Sequence, residues 1–92
     1  DGGLESTTFQ KAVKNIGIND KKKVSQCFEA GQKFLFSKKN PRRQELLESL
    51  GREVETFKEM RKIDPNAKEF GRIVARHVAY MIENKIWNPQ GT

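Results

Sequence analysis

The chain has 92 residues, is 35% hydrophobic and 33% charged, and carries 18 Lys/Arg against 12 Asp/Glu for a net charge of +6. That size allows one domain at most, near the lower limit for folding without staples, while the density of large hydrophobes is too high for a disordered polymer. One cysteine, Cys27, excludes an internal disulfide, and the longest apolar runs, Phe34-Leu35-Phe36 and Val78-Ala79-Tyr80-Met81-Ile82, are far below the length of a membrane span.

In chain order, Ser6 or Thr7 opens the first helix by capping free backbone N–H groups. Phe9, Ala12, Val13 and Ile16 then follow at i, i+3, i+4 and i+7, which is one helical stripe, and Gly17 suits the left-handed residue that ends it. Asp20 caps a second helix whose Val24, Cys27, Phe28, Gly31 and Leu35 share a face. Lys21, Lys22 and Lys23 fall in its first turn, where the helix dipole disfavours positive charge. They belong in solvent or against an anion. Asn40-Pro41 opens a third helix, since proline at the first helical position gives up no intrahelical bond. Leu46, Leu47, Leu50, Val54, Phe57 and Met60 or Arg61 keep helical spacing there, and Gly51 either interrupts the helix or permits close packing. Asp64-Pro65 repeats the cap-then-proline device ahead of a last helix bearing Phe70, Ile73, Val74, His77 or Val78, Met81 and Ile82. Trp87 and Pro89 close the chain, with residues 1–5 and 88–92 expected to fray. The expected fold is all-α, a single bundle of four or five helices spanning residues 1–92.

Catalytic chemistry finds few candidates. Cys27 lies on the apolar face of its helix and His77 is the only histidine, so a structural thiol and a histidine at the edge of the apolar stripe are the expected roles. Zinc needs about four close ligands, Asp64 to Glu69 lacks the alternating oxygens of a calcium loop, and no glycine-rich phosphate cradle is present. Glu45 with Glu48, and Glu55 with Glu59, sit at helical spacings that serve solubility and pairing with Arg52 and Lys58. No enzyme, metal or cofactor is expected.

The charge is uneven. Lys11 to Arg43 holds ten Lys/Arg and two acids, whereas Gln44 to Asp64 holds six acids and four bases. A basic front half suits an anionic partner, an acidic peptide or nucleic acid. Nucleic acid would use Lys21, Lys22, Lys23, Lys38, Lys39, Arg42 and Arg43 through phosphate contacts, without any recognisable reading helix or stacking motif. Solvation of a helix face is the plain alternative use of these residues.

From Gly31 onward, the run Leu46-Leu47, Leu50-Gly51-Arg52-Glu53-Val54, Arg61-Lys62, Ala67, Ile73-Val74-Ala75 and Ile82 to Trp87 resembles the N-terminal domain of transcription elongation factor TFIIS and its relatives. In the front half, Val13-Lys14-Asn15, Ile18 and Val24 to Ala30 are similar to the first two helices of a member of the same fold group, the integrase-binding domain of lens epithelium-derived growth factor. The resemblance implies a right-handed bundle that binds short, disordered acidic-hydrophobic motifs of transcription and chromatin factors through two inter-helix loops. Carried onto this chain, the contact residues are Ile18 with Asn19 or Asp20, and Arg61-Lys62-Ile63. The pattern departs at Ile63, which replaces an aromatic anchor, and at Asp20, which meets the acidic position only after a shift of one residue. Independently of any family, Ile18 and Ile63 are aliphatic residues on connections, ringed by Lys21 to Lys23 and by Arg61 and Lys62; capping of the core ends is their other reading. The expectation is a monomeric, membrane-free, intracellular and nuclear interaction domain cut from a longer protein, as the Asp1-Gly2-Gly3 opening suggests, with a helical nucleic-acid-binding domain as the alternative.

Overall fold

A computed structural model describes residues 7–61 and 68–90, without the side chains of Phe57, Met60 and Arg61. It contains α1 (Thr7–Asn15), α2 (Lys21–Leu35), α3 (Arg43–Arg61) and α4 (Lys68–Glu83), and no strand among the described residues. The described residues therefore form an all-α bundle of four helices.

Helix α4 is the hub, packing on each of the other three. Its buried positions, Ile73, Val74, Ala75, His77, Val78, Ala79, Met81 and Ile82, wrap most of its circumference. A helix that is apolar nearly all round belongs inside a bundle. Around it α1 contributes Phe9, Ala12 and Val13, α2 contributes Cys27 and Leu35, and α3 contributes Leu46 and Leu50. Gly31 lets α2 approach α4 closely, because a Cβ there would stand 2.6 Å from Val78 Cγ1. Beside this contact Trp87 stacks on Phe34, with ring centroids 5.9 Å apart.

Hydrogen-bonded caps set the helix ends. Gly17, at φ 87°, donates to Lys14 O while Ile18 donates to Val13 O. This is the double-bonded left-handed cap that usually brings the following apolar side chain onto the last turn. Ile18 accordingly packs against the core. In the same way Lys85 donates to Ile82 O and Ile86 to Met81 O at the end of α4, with Lys85 at φ 58°. A Cβ is strained in that region, so Lys85→Gly is expected to raise stability by roughly 0.5–1 kcal/mol, measured by urea denaturation. Asn40 is buried, accepts from Arg42 N at 3.0 Å and donates to Phe34 O at 3.2 Å. The expected helix start at Asn40-Pro41 is instead a hydrogen-bonded turn, with α3 beginning at Arg43 and running unbroken through Gly51. The Asp64-Pro65 boundary lies outside the described residues. Gln90, in the end expected to fray, donates to Ile16 O at 2.7 Å.

Candidate docking groove

Helix α3 is flanked by two clefts. Along it, Leu46 and Leu50 form the buried stripe, while Leu47, Gly51 and Val54 lie about 100° further round and stay at or near the surface. Phe36, the residue that caps α2, and Phe70, in the first turn of α4, flank this second stripe. The result is an open, largely apolar groove of about 770 Å³. Phe36 is 46% exposed there, one of only two large hydrophobic side chains so exposed among the described residues. Glu48, Glu55 and Glu59 rim the groove, with Arg52 as the single cation among its described lining residues.

Opposite it, a more polar cleft of about 500 Å³ lies between α3 and α4, lined in part by Ser49, Glu53, Arg76, His77 and Tyr80. His77 is buried; its Nδ1 is 3.0 Å from Ile73 O and its Nε2 is 3.3 Å from Ser49 Oγ. The Ile73 carbonyl can only accept, so Nδ1 is the donor there, and Nε2 lies within hydrogen-bond reach of the Ser49 hydroxyl. Glu53 Oε1 stands 3.6 Å from Nδ1, while Oε2 of the same carboxylate accepts from Arg76. Serine, histidine and carboxylate thus meet in an order familiar from acyl-transfer enzymes. Acyl transfer also needs donors aimed at a developing oxyanion. Ser49 sits inside α3, where its own N–H and those beside it are used by the helix. What the cluster does form is a link between α3 and α4 through the Ser49–His77 and Glu53–Arg76 hydrogen bonds. Cys27 lines neither cleft, and burial pushes its thiol up to about 11, so it stays protonated at neutral pH.

The two basic clusters lie at opposite ends of α2. Lys21, Lys22 and Lys23 begin α2, exposed, with Asp20 accepting from Lys22 N at 2.8 Å. Lys38, Lys39, Arg42 and Arg43 follow its other end, about 22 Å away for a helix of 15 residues. Two of these four are engaged. Arg42 pairs with Glu45, whose hydrogen bond and charge raise the pKa of the guanidinium, and Arg43 Nε donates to Phe36 O at 3.3 Å. Of the loop residues, Ile18 is half-buried in its cap, and Asn19 and Asp20 are exposed. Arg61 ends α3, while Lys62 and Ile63 lie outside the described residues.

Sequence spacing put Phe70 on the apolar face of the last helix, but it marked neither Phe70 nor Phe36, Ser49, Glu53 or Arg76 as a site residue. One signal was available: in a helix, residues two apart point about 200° apart, so Phe34 and Phe36 cannot both face the core. Among the described residues no three His, Cys, Asp or Glu side chains gather as a metal would require, and no helix is long and apolar enough to cross a membrane. The chain matches no protein-family model, and comparison with curated proteins and with solved structures found no match.

Proposed function

We propose that this bundle is a protein-interaction module that seats a short segment of another protein in the groove along α3. The observation that supports this is the groove itself, where Phe36, Leu47, Val54 and Phe70 present apolar surface beside a packed core. Amphipathic segments bind by laying an apolar face into a groove of this form. The resemblance to the TFIIS N-terminal domain extends the proposal to disordered motifs of nuclear transcription or chromatin factors. That resemblance favours the loop at Ile18 as contact surface and an acidic motif as ligand. Ile18, however, has a role in its helix cap, and the groove rim is acidic.

An NMR shift map with amphipathic peptides and with a generic DNA duplex tests the proposal. The expected peptide shifts cluster at Leu47, Gly51, Val54 and Phe70. Shifts confined to Ile18 through Asp20 would move the site to the loop. Shifts at Lys21–Lys23 or Lys38 and Lys39 with DNA, lost steeply with salt, would support the nucleic-acid reading instead.

A further inference from the structure

We infer that the occupant of the α3 groove is a basic amphipathic segment of another protein, with a bulky apolar anchor seated over Gly51; this rests on the groove being the docking site. On a chain of net charge +6, the described lining residues of this groove carry Glu48, Glu55 and Glu59 against Arg52, a local excess of acid. An acidic ligand would meet like charge at the rim, and like charges brought together at an interface select against a partner.

Gly51 is the small residue in the groove floor. It lies inside α3, without the positive φ that would call for glycine, and a Cβ built there meets nothing within 4 Å. Neither the backbone nor packing among the described residues asks for glycine, although alanine is the better helix former. What the missing side chain does create is a notch in the groove floor, between Leu47 and Val54. The stretch from Leu47 to Glu59 is about 18 Å long, enough for roughly three turns of a bound helix. Helix-in-groove recognition uses apolar anchors one or two turns apart, and the flanking charges of the ligand would face the rim.

The test uses two synthetic peptides with identical Phe and Leu anchors at helical spacing, one with lysine and arginine at the flanking positions and one with glutamate. Each is titrated into the isotope-labelled chain and followed by NMR. The basic peptide is expected to bind about tenfold more tightly, the size produced by two or three exposed charge pairs, with the preference shrinking as salt rises. Glu55→Lys with Glu59→Lys should reverse the preference. Gly51→Leu should abolish binding of both peptides while the circular dichroism stays that of the parent and the unfolding midpoint rises by a few degrees, as helix propensity requires. Groove shifts with equal affinities, or with the acidic peptide favoured, would overturn the charge inference and leave the docking groove standing. An absence of groove shifts with either peptide would overturn both. Groove shifts that appear on raising the protein concentration alone, or cross-peaks from the groove to residues 1–6 or 62–67 in the free chain, would assign the occupant to a second copy or to the chain itself and overturn the inference.

Discussion

Phe9→Ala is expected to cost about 3–5 kcal/mol, the range for deleting a buried aromatic ring and leaving a cavity. Phe9 is fully buried, and its ring meets Phe28 edge-on, with centroids 5.6 Å apart. The reason for so large a loss lies in α1, which has nine residues. A helix that short is marginal by itself in water and depends on tertiary packing. Its buried side chains are Phe9, Ala12 and Val13, of which Phe9 is the largest. Folded domains of this size hold roughly 5–15 kcal/mol in all, so this one change removes a major share. Urea denaturation checks it: the midpoint should fall sharply with an unchanged slope, the signature of lost stability in a still cooperative unit. A loss below about 1 kcal/mol would mean that α1 is not seated on α4 through this ring.

The helical pattern was legible because burial follows the 3.6-residue repeat so directly. Phe9, Ala12 and Val13, then Cys27, Gly31 and Leu35, then Ile73, Val74 and Met81 were all readable as faces, and all are buried. Helix ends were less legible. Gly17 signalled the end of α1, but its second hydrogen bond, from Ile18 to Val13 O, is a matter of backbone geometry. Without that bond Ile18 looks like an apolar side chain with nothing to join; with it, the residue belongs to the core edge. The groove could not be read at all from local spacing, since Phe36 comes from the end of α2, Phe70 from the start of α4, and the floor from α3. The same holds for the pairing of Ser49 with His77, 28 residues away, and of Glu53 with Arg76, 23 residues away. The basic stretch from Lys21 to Arg43 is continuous in sequence, yet α2 carries its clusters to opposite ends.

Gly31→Ala and Gly51→Ala are expected to move stability in opposite directions. Both positions lie inside helices, and intrinsic propensity favours alanine by about 1 kcal/mol at each. At Gly51 the new methyl group meets nothing, so the gain should appear nearly whole. At Gly31 the Cβ would lie 2.6 Å from Val78 Cγ1 and 3.1 Å from Trp87 Cζ3. Val78 is fully buried, and a β-branched side chain in a helix has essentially one rotamer, so it cannot swing aside. Helices α2 and α4 must separate, which also disturbs the Trp87–Phe34 stack. Overpacking of a closed core costs about 1–3 kcal/mol, or more where the backbone must shift. The clash therefore exceeds the propensity gain, and a net loss of about 1–2 kcal/mol is expected, a fall of roughly 4–16 °C in Tm for a domain this small. Adding Val78→Ala to Gly31→Ala should recover part of that loss, although Val78→Ala alone destabilises by emptying the core. That reversal of sign identifies a steric contact, because a propensity effect at Gly31 would be indifferent to the side chain at position 78. Stabilisation by alanine at both glycines would show that α2 and α4 are not closed against each other at Gly31, and the packing of α2 on the central helix would have to be redrawn.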